Sequence, residues 1–255
     1  EHPDAVARSL LSDFDFSGQK RTLFVLCHPD DELAIAVTIR RLVQTGGSVH
    51  LAWTHRTDVR EGEARNAARL IGVNEAHLTF FEGRDGDLVD DIPALRPRMD
   101  DLMRDLTPDQ VVTVAFEQGH IDHDATNLLV NLSFQGPVFE YPMYHTYLTR
   151  MPVLNRFADP VGQQVIELTP DETRLKIQLA RTYPSQTIWR NVVWYERASL
   201  LKGRRIRLAA TERLRRQTHR DFLTPNLPDR LRDRVTLSPH WQRWIAAMRR
   251  MGIGA

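Results

Sequence analysis

Five short apolar segments, separated by amphipathic ones, dominate the first half of this chain. Short continuous apolar segments are typical of strands buried on both faces, and they predict strands at residues 22–27, 49–53, 77–81, 110–116 and 138–141. Between them, apolar residues recur at helical spacing and predict helices at residues 31–43, 60–71, 92–106 and 122–132. This alternation predicts an α/β fold with a mostly parallel sheet and helices on both of its faces.

The pattern loosens beyond residue 141. A helix is predicted at residues 169–181, where Thr169 can cap the helix and Pro170 suits its first turn. Further helices are predicted at residues 204–219 and 239–251. No repeat or low-complexity linker divides the chain, so we predict a single domain over residues 1–255. Its core would span about residues 20–190, and a helical C-terminal extension would span about residues 191–255.

Composition narrows the expected class of protein. The chain has 255 residues, 42% of them hydrophobic and 26% charged, as in ordinary globular proteins. A net charge of +1 gives no general attraction for nucleic acids, so we expect no nucleic-acid partner. The single cysteine excludes an internal disulfide and a cysteine-based zinc finger. No signal peptide or membrane-spanning segment is seen, which predicts a cytoplasmic protein without membrane contact, although the start could be processed or trimmed.

Two clusters of polar residues follow predicted strands. Residues 28–32 (HPDDE) come directly after the first strand, and residues 117–123 (EQGHIDH) follow the fourth. Because ligands bind at the carboxyl ends of parallel strands, we expect the two clusters to share one rim of the sheet. Imidazole and carboxylate are good ligands for zinc and other borderline divalent metals. Two histidines and one carboxylate would leave a position open for water, as in catalytic zinc sites.

The spacing within each cluster suggests which residues bind the metal and which act on the substrate. His28 and Asp31 lie three residues apart across a strand-to-helix turn, so their side chains can converge on a metal. Asp30 would then lie near the open position of the metal, which suits a general base acting on water. His120 and His123 are also three residues apart, at a helix start, so one could bind the metal while the other faces the substrate.

These motifs resemble those of the PIG-L / LmbE-like family of zinc-dependent N-acetylglucosaminyl deacetylases. CHPDDE at residues 27–32 is similar to the family's (A)HPDDE signature, and HIDH at residues 120–123 resembles its HxDH motif. REGE and AARLIGV, both within residues 60–73, are similar to its RxxE…A…LGV helix. EY at residues 140–141 and YPSQ at residues 183–186 resemble two downstream elements of the family.

The resemblance covers roughly residues 22–186 and implies a Rossmann-like fold with a Zn²⁺ cofactor, or another divalent metal such as Fe²⁺. It implies three metal ligands, His28, Asp31 and His123. It implies that Asp30 is the general base and that His120 is the protonated group that stabilises the tetrahedral oxyanion and helps the amine to leave. Asp122 would hydrogen-bond His120 and keep it charged.

Other residues have weaker assignments. Candidates for substrate contact are Arg60, Tyr141, His145 and His55, with packing or solvation as the simpler interpretation of each. Cys27 stands where the family usually has a small residue, and we interpret it as a small buried side chain. The basic segment at residues 202–220 is interpreted as a solvated helix face. We expect the helix at residues 239–251 to dock on the core, with a homo-oligomer contact as the next interpretation.

Together these features predict a zinc-dependent hydrolase that removes an N-acetyl or other N-acyl group from a small-molecule amino sugar or glycoconjugate. The alternative is a non-catalytic module that uses the same metal cluster to hold a glycan. Asp30 and His120 favour the enzyme, because a structural metal needs neither residue. A dinucleotide-binding oxidoreductase is disfavoured because no GxGxxG motif follows the first strand.

Overall fold

The computed structural model describes residues 14–145, 153–203 and 208–254, apart from the side chains of His145 and Trp189. Nine strands lie in this part of the chain: β1 (Thr22–Leu26), β2 (Val49–His55), β3 (Leu78–Gly83), β4 (Gln110–Val114), β5 (Val138–Tyr141), β6 (Tyr144–His145), β7 (Val153–Leu154), β8 (Gln164–Glu167) and β9 (Thr211–Arg216). Seven of them form one sheet in the order β3-β2-β1-β4-β5-β9-β8, and β6 pairs with β7 in a separate ribbon.

Eight α-helices lie in the same described residues: α1 (Ala36–Gln44), α2 (Asp58–Ile71), α3 (Leu88–Leu106), α4 (Ile121–Ser133), α5 (Pro170–Ala180), α6 (Ile188–Leu201), α7 (Asp229–Thr236) and α8 (Pro239–Arg250). The strands β1 to β5 are parallel, and the helices between them cross over the sheet. The predicted α/β fold with a mostly parallel sheet is therefore confirmed. None of the helices in the described residues is both long and apolar enough to cross a membrane.

The first strand shows why the sheet needs helices on both sides. Leu23 and Val25 pack into one apolar cluster with α3 and α4, while Phe24 and Leu26 pack into a second cluster with α1 and α2. Every residue of β1 is buried, because successive side chains point to opposite faces and both faces are covered. Burying each such side chain contributes roughly 1.5–3 kcal/mol to folding.

The predicted helix at residues 204–219 is wrong. Residues 204–207 lie outside the described part of the chain, a 3₁₀ turn spans Leu208–Ala210, and β9 follows it. β9 pairs antiparallel with β5 and β8, and its buried residues, Glu212 and Leu214, alternate with more exposed ones. The alternation of buried and exposed residues that is typical of a strand could not be recognised from the sequence, because one of the buried positions holds a carboxylate. Since β9 joins the core sheet, we propose that the C-terminal extension belongs to the same single domain as the core.

The last helix lies against the turn that follows β3. Trp244 on α8 is buried, and its indole nitrogen donates to Phe222 O at 2.8 Å. Arg243 donates to Gly86 O at 2.8 Å and to Asp90 Oδ2 at 2.9 Å, which ties α8 to the start of α3. The C-terminal helix therefore helps to hold the loop between β3 and α3, which also borders the candidate site.

Replacing Glu212 with Gln is expected to lower the free energy of unfolding by about 3 kcal/mol. The Glu212 carboxylate is fully buried and accepts from Val37 N, Thr38 N and Thr38 Oγ1, as well as from Lys176 Nζ at 3.0 Å. The amide would leave the Lys176 ammonium uncompensated in the core. Urea unfolding measures the change, and Glu75→Gln at the exposed pair with Arg69 is the matched control, for which we expect less than about 1 kcal/mol. Equal losses in the two variants would contradict this account of the buried pair.

Candidate metal centre and active site

The two polar clusters leave the sheet at the same edge. β1 and β4 are adjacent and parallel, with Thr22 beside Gln110 and Val25 beside Thr113. The segments that follow these strands therefore begin side by side at the carboxyl ends. This topology brings residues 28–32 and residues 120–123 to one site.

His28, Asp31 and His123 come together at this edge. Asp31 Oδ2 lies 3.7 Å from His28 Nδ1 and 3.5 Å from His123 Nε2. The backbone N–H of His28 also donates to Asp31 Oδ2 at 2.8 Å, which fixes the carboxylate across the turn. One ligand atom from each of these residues and from Cys27 lies within 4.8 Å of all the others, and all four residues are buried. We propose the two imidazoles and the Asp31 carboxylate as metal ligands.

The chemistry of this donor set fits a divalent cation. Burial opposes ionisation of Asp31, but the imidazoles of His123 and His28 outweigh it and hold the pKa of that carboxyl well below its usual range. A buried carboxylate that stays ionised needs a cationic partner. Two imidazoles and one carboxylate form a ligand set typical of catalytic zinc. The residues present therefore fit the metal that the sequence implied.

Cys27 lies beneath this cluster. Its side chain is fully buried, as expected, and Sγ lies 3.7 Å from His28 Nε2. Burial raises the pKa of the Cys27 thiol, so the thiol stays protonated at neutral pH in this arrangement. Cys27 does not line the cavity at the site, which leaves the cavity face of the cluster to the histidines and aspartates.

Asp30 lies beside the cluster rather than in it. Its side chain lines the cavity and accepts from Arg60 Nη2 at 3.1 Å. Burial and the neighbouring Asp31 carboxylate raise the pKa of Asp30 well above its usual range, while Arg60 opposes the shift. A carboxylate with a raised pKa is a better proton acceptor at neutral pH than an ordinary one. This position suits the proposed general base.

The backbone of Asp30 is strained, with φ at 120°, where residues other than glycine are rare. We expect Asp30→Gly to be about 1 kcal/mol more stable than Asp30→Ala, because glycine adopts this conformation freely. Thermal unfolding of the two variants measures the difference. At Asp100, which is exposed within α3, the order should reverse, since glycine is about 1 kcal/mol worse than alanine inside a helix. The same order at both positions would argue against strain at Asp30.

Glu32, the third carboxylate of the first cluster, supports the turn. It is fully buried and accepts from the hydroxyl of Tyr183, from the indole of Trp53 at 3.2 Å and from the backbone of Asp30 at 3.1 Å. Burial raises its pKa to about 7, although these hydrogen bonds oppose the shift. Glu32 is therefore a positioning residue that holds Asp30 against the core.

The YPSQ segment at residues 183–186 joins two of the other motifs. Tyr183 binds Glu32, and Ser185 donates to Glu63 on α2 from its backbone at 3.0 Å and from its hydroxyl at 2.5 Å. Glu63 lies one helical turn after Arg60, the residue that contacts Asp30. These contacts explain why motifs far apart in the sequence occur together, since the segment holds both the turn after β1 and the helix that carries Arg60.

His120 and Asp122 do not interact as the sequence implied. The His120 Nδ1 and Asp122 Oδ2 atoms are 3.9 Å apart, too far for a hydrogen bond. The Asp122 carboxylate instead accepts from the backbone of Gly86 at 2.6 Å and of Leu88 at 3.1 Å, and it lies 3.4 Å from His28 Nε2. The prediction of an Asp122 side chain bonded to His120 is therefore wrong, because Asp122 anchors the loop after β3.

The surroundings of His120 favour its neutral form. Burial and the nearby His123 imidazole lower the pKa of His120 to about 4. The backbone N–H of Asp122 donates to His120 Nδ1 at 3.3 Å, which places the ring proton on Nε2. The lowered pKa favours a neutral imidazole over the charged donor that the resemblance implied. His120 lines the cavity and can donate from Nε2.

Asp85 is a site residue that the sequence analysis missed. Its Oδ1 lies 3.3 Å from His28 Nε2, and its Oδ2 lies 3.9 Å from Arg60 Nη1, although the side chain is more than half exposed. Hydrogen bonding to His28 lowers the pKa of Asp85. Asp85 lies in the turn directly after β3, a third parallel strand that ends at the same edge. That position was the signal that could have identified it.

The four candidate substrate contacts end up in different places. Arg60 lines the cavity, whereas Tyr141 is fully buried in the core and does not. His55 is also buried, with Nδ1 bonded to Gly83 O at 2.7 Å and its ring 5.5 Å from that of His28, so it lies behind the site. The backbone of His145 pairs in β6, while its side chain lies outside the described residues. Contacts from Tyr141 and His55 to substrate are therefore not provided, because core packing occupies both side chains.

The site opens into a cavity of about 400 Å³, within the usual size for small-molecule sites. Its charged end is formed by His28, Asp30, Asp31, Arg60, Asp85, His120 and His123. Tyr144, in β6, was also missed from the sequence; its ring lies 5.5 Å from that of His123 and 6.1 Å from that of His120. The cavity therefore combines one cluster of ionisable groups with largely apolar walls.

Comparison with known families assigns the segment that carries this cluster. Residues 23–133 match the family PIG-L, GlcNAc-PI de-N-acetylase. The match confirms the resemblance seen in the sequence, and the PIG-L segment, residues 23–133, contains every residue of the charged end of the cavity. Among curated proteins, none matches the chain by sequence.

Solved structures share the fold beyond the PIG-L segment. A40926 pseudoaglycone deacetylase Dbv21 superposes with a TM-score of 0.55 at 16% identity, over 79% of this chain and 97% of that chain. A zinc-inhibited form of teicoplanin deacetylase Orf2 gives 0.55 at 15% identity, over 78% and 100%. GalB, the 4-carboxy-2-hydroxymuconate hydratase from Pseudomonas putida KT2440, gives 0.56 at 17% identity, over 82% and 100%. At these identities the likeness shows the fold alone.

Proposed function

We propose that this chain is a metal-dependent hydrolase that removes an N-acetyl or N-acyl group from an amino sugar or its conjugate. The observation that carries the proposal is the convergence of three candidate ligands in a cavity whose wall also holds Asp30 and His120. The match of the PIG-L segment and the deacetylases among the structural neighbours support this class of reaction.

His28, Asp31 and His123 would hold the cation, which we propose to be Zn²⁺, with Fe²⁺ as the alternative. A bound divalent cation supplies Lewis acidity, which polarises a carbonyl group and makes water more acidic. Zinc inhibits one structural neighbour, the teicoplanin deacetylase Orf2, and this inhibition is the reason for testing a second metal.

Asp30 and His120 would handle the protons and the developing charge. Asp30 takes the proton from the attacking water, which its raised pKa favours, and Arg60 holds the carboxylate in position. The Nε2–H of neutral His120 donates to the carbonyl oxygen as negative charge develops on it. Asp30 can then pass its proton to the leaving nitrogen, so that the products are a carboxylate and an amine.

A non-catalytic glycan-binding module is less well supported. A module that uses a metal only to hold a glycan needs no proton acceptor beside the ligands. Asp30 occupies that position in a strained conformation and in contact with Arg60. Strain of this kind costs roughly 1–3 kcal/mol and persists mainly at functional sites.

The direct test is amine release from a panel of N-acyl amino sugars by protein loaded with Zn²⁺ or Fe²⁺. We expect the free amine and the carboxylate to appear in equal amounts, and we expect a chelator to abolish turnover and added metal to restore it. Metal-dependent glycan binding without turnover of any substrate would favour the binding module. Turnover that persists after complete removal of metal would contradict the proposed mechanism.

A further inference from the structure

The cavity extends well beyond what an acetyl group fills. Besides the charged end, its lining includes six small or aliphatic residues, which we term the apolar wall: Ala34, Ile177, Ala180, Ile188, Val192 and Ala209. All of these except Ala180 keep part of their surface exposed. Apolar surface that lines a cavity is typical of a ligand-binding subsite.

The apolar wall is built mainly by elements outside the PIG-L segment. Only Ala34 belongs to residues 23–133, and the other members lie on α5, on α6 and on the 3₁₀ turn Leu208–Ala210. α5 packs against that turn, against α6 and against the turn at Asp31–Ala34, so the members form one continuous surface next to the site. The PIG-L segment thus supplies the ionisable groups, while later parts of the chain supply the apolar surface.

Lys176, a charged residue beside the apolar wall, does not make this surface a site for anions. It lines the cavity, but its ammonium donates to Ala34 O at 3.2 Å and to Glu212 at 3.0 Å. Glu212 is itself fully buried and compensates the charge. Because its charge is compensated, Lys176 gives this side of the cavity no net positive charge, which suits an uncharged ligand.

We propose that the apolar wall binds an aliphatic chain carried by the substrate, so that the protein prefers alkyl-bearing amino sugars to simple N-acetyl ones. This inference rests on the proposed function and names its substrate class. Burying one methylene group in an apolar site raises a binding constant by about fourfold. Even two or three buried methylenes would raise kcat/KM by about thirtyfold.

The chain could be joined to the scissile amide or to the anomeric oxygen, and three substrates distinguish these sources. They are the methyl glycosides of N-acetylglucosamine and of N-octanoylglucosamine, and the octyl glycoside of N-acetylglucosamine. With metal-loaded protein, we expect at least one octyl-bearing substrate to exceed the methyl N-acetyl compound in kcat/KM by about thirtyfold. Preference for the N-octanoyl compound assigns the wall to the acyl side, and preference for the octyl glycoside assigns it to the aglycone side.

A pair of variants on α6 separates the apolar wall from other effects. Val192→Asn places an amide in the wall and should reduce the ratio of octyl to methyl kcat/KM by about fivefold or more. Leu201→Asn makes the same kind of change on the exposed side of α6, away from the cavity, and should leave the ratio unchanged. Ile177→Asn on α5 repeats the test if Val192→Asn does not fold. An unchanged ratio in a folded wall variant would overturn the proposal.

Binding measurements keep this inference distinct from the proposed function. Calorimetry of the Asp30→Asn variant with the octyl and methyl glycosides of N-acetylglucosamine and with the N-octanoyl compound reports on the apolar wall with little turnover. No amine release, combined with tighter binding of an octyl-bearing compound, would refute the hydrolase and leave the wall as proposed. Amine release at equal rates from all three substrates, or equal binding of all three by an inactive protein, would overturn the apolar subsite.

Discussion

Replacing Asp30 with Asn is expected to lower kcat for N-acyl amino sugar hydrolysis by about three orders of magnitude, because the amide cannot accept a proton from water. The shape of the side chain is kept. In the parent protein Arg60 donates to Asp30 Oδ1 at 3.1 Å, and the amide oxygen of the variant can still accept this hydrogen bond. Metal binding should stay close to that of the parent, since the proposed ligands are untouched. Steady-state kinetics and metal content after dialysis measure the two effects separately.

The matched control for this variant is Asp58→Asn. Asp58 lies at the start of α2, two residues before Arg60, but its side chain is almost fully exposed. Its Oδ1 lies 3.5 Å from Arg56 Nη1, which makes a loose surface ion pair. We expect its kcat to change by less than about twofold, because surface pairs of this kind contribute little. If Asp30→Asn kept full activity with full metal content, another group would have to take the proton, and the assignment of Asp30 would be wrong.

His123→Ala is expected to weaken metal binding by more than about 100-fold, beyond the 10–100-fold typical of losing a supporting residue around a metal. His123 contributes one of the two imidazoles near Asp31 Oδ2, at 3.5 Å, and it lies on α4 rather than on the turn after β1. Its removal leaves only ligands from one short turn. Competition with a chromophoric chelator measures the affinity, and activity at limiting metal should fall in parallel.

His240→Ala is the control for removing a histidine, since His240 is exposed on α8 and away from the cluster. Its metal affinity should equal that of the parent. If His123→Ala bound the cation as tightly as the parent, a different set of donors would hold it. Cys27 is the first alternative to test, because its sulfur lies within reach of the same position.

Much of this protein is determined locally in the sequence. The segment at residues 22–27 is continuously apolar, which indicates a strand covered on both faces, and β1 is buried throughout. Thr169, Pro170 and Glu172 predict the start of α5, and the structure shows a complete capping box there. These predictions succeed because periodicity and capping depend on residues only a few positions apart.

The sequence also determined which residue types would meet. Parallel strands end at a common edge, so polar segments after the first and fourth strands were expected to lie together, and the structure places them side by side. The resemblance of residues 27–32 and 120–123 to the PIG-L motifs needed no three-dimensional information, and the family match supports it. The roles of the individual residues are a different matter and remain proposals.

Only the tertiary structure decided what each charged side chain contacts. Glu32 and Asp30 lie two residues apart, yet one is buried against Tyr183 and the other faces the cavity beside Arg60. The environment of His120, which lowers the pKa of its imidazole, depends on its burial and on the packing of His123. Such differences come from partners distant in the chain, which no local pattern encodes.

The same reason explains β9 and the apolar wall. Glu212 can occupy a buried strand position because Lys176 and the start of α1 meet it there, more than thirty residues away in sequence. The apolar wall arises where α5, α6 and a 3₁₀ turn happen to face one cavity. The sequence alone thus determined the fold class and the composition of the charged cluster through short-range periodicity and motif spacing. Tertiary packing decided the protonation, the strand at the sheet edge and the surface available to substrate, because these depend on long-range contacts.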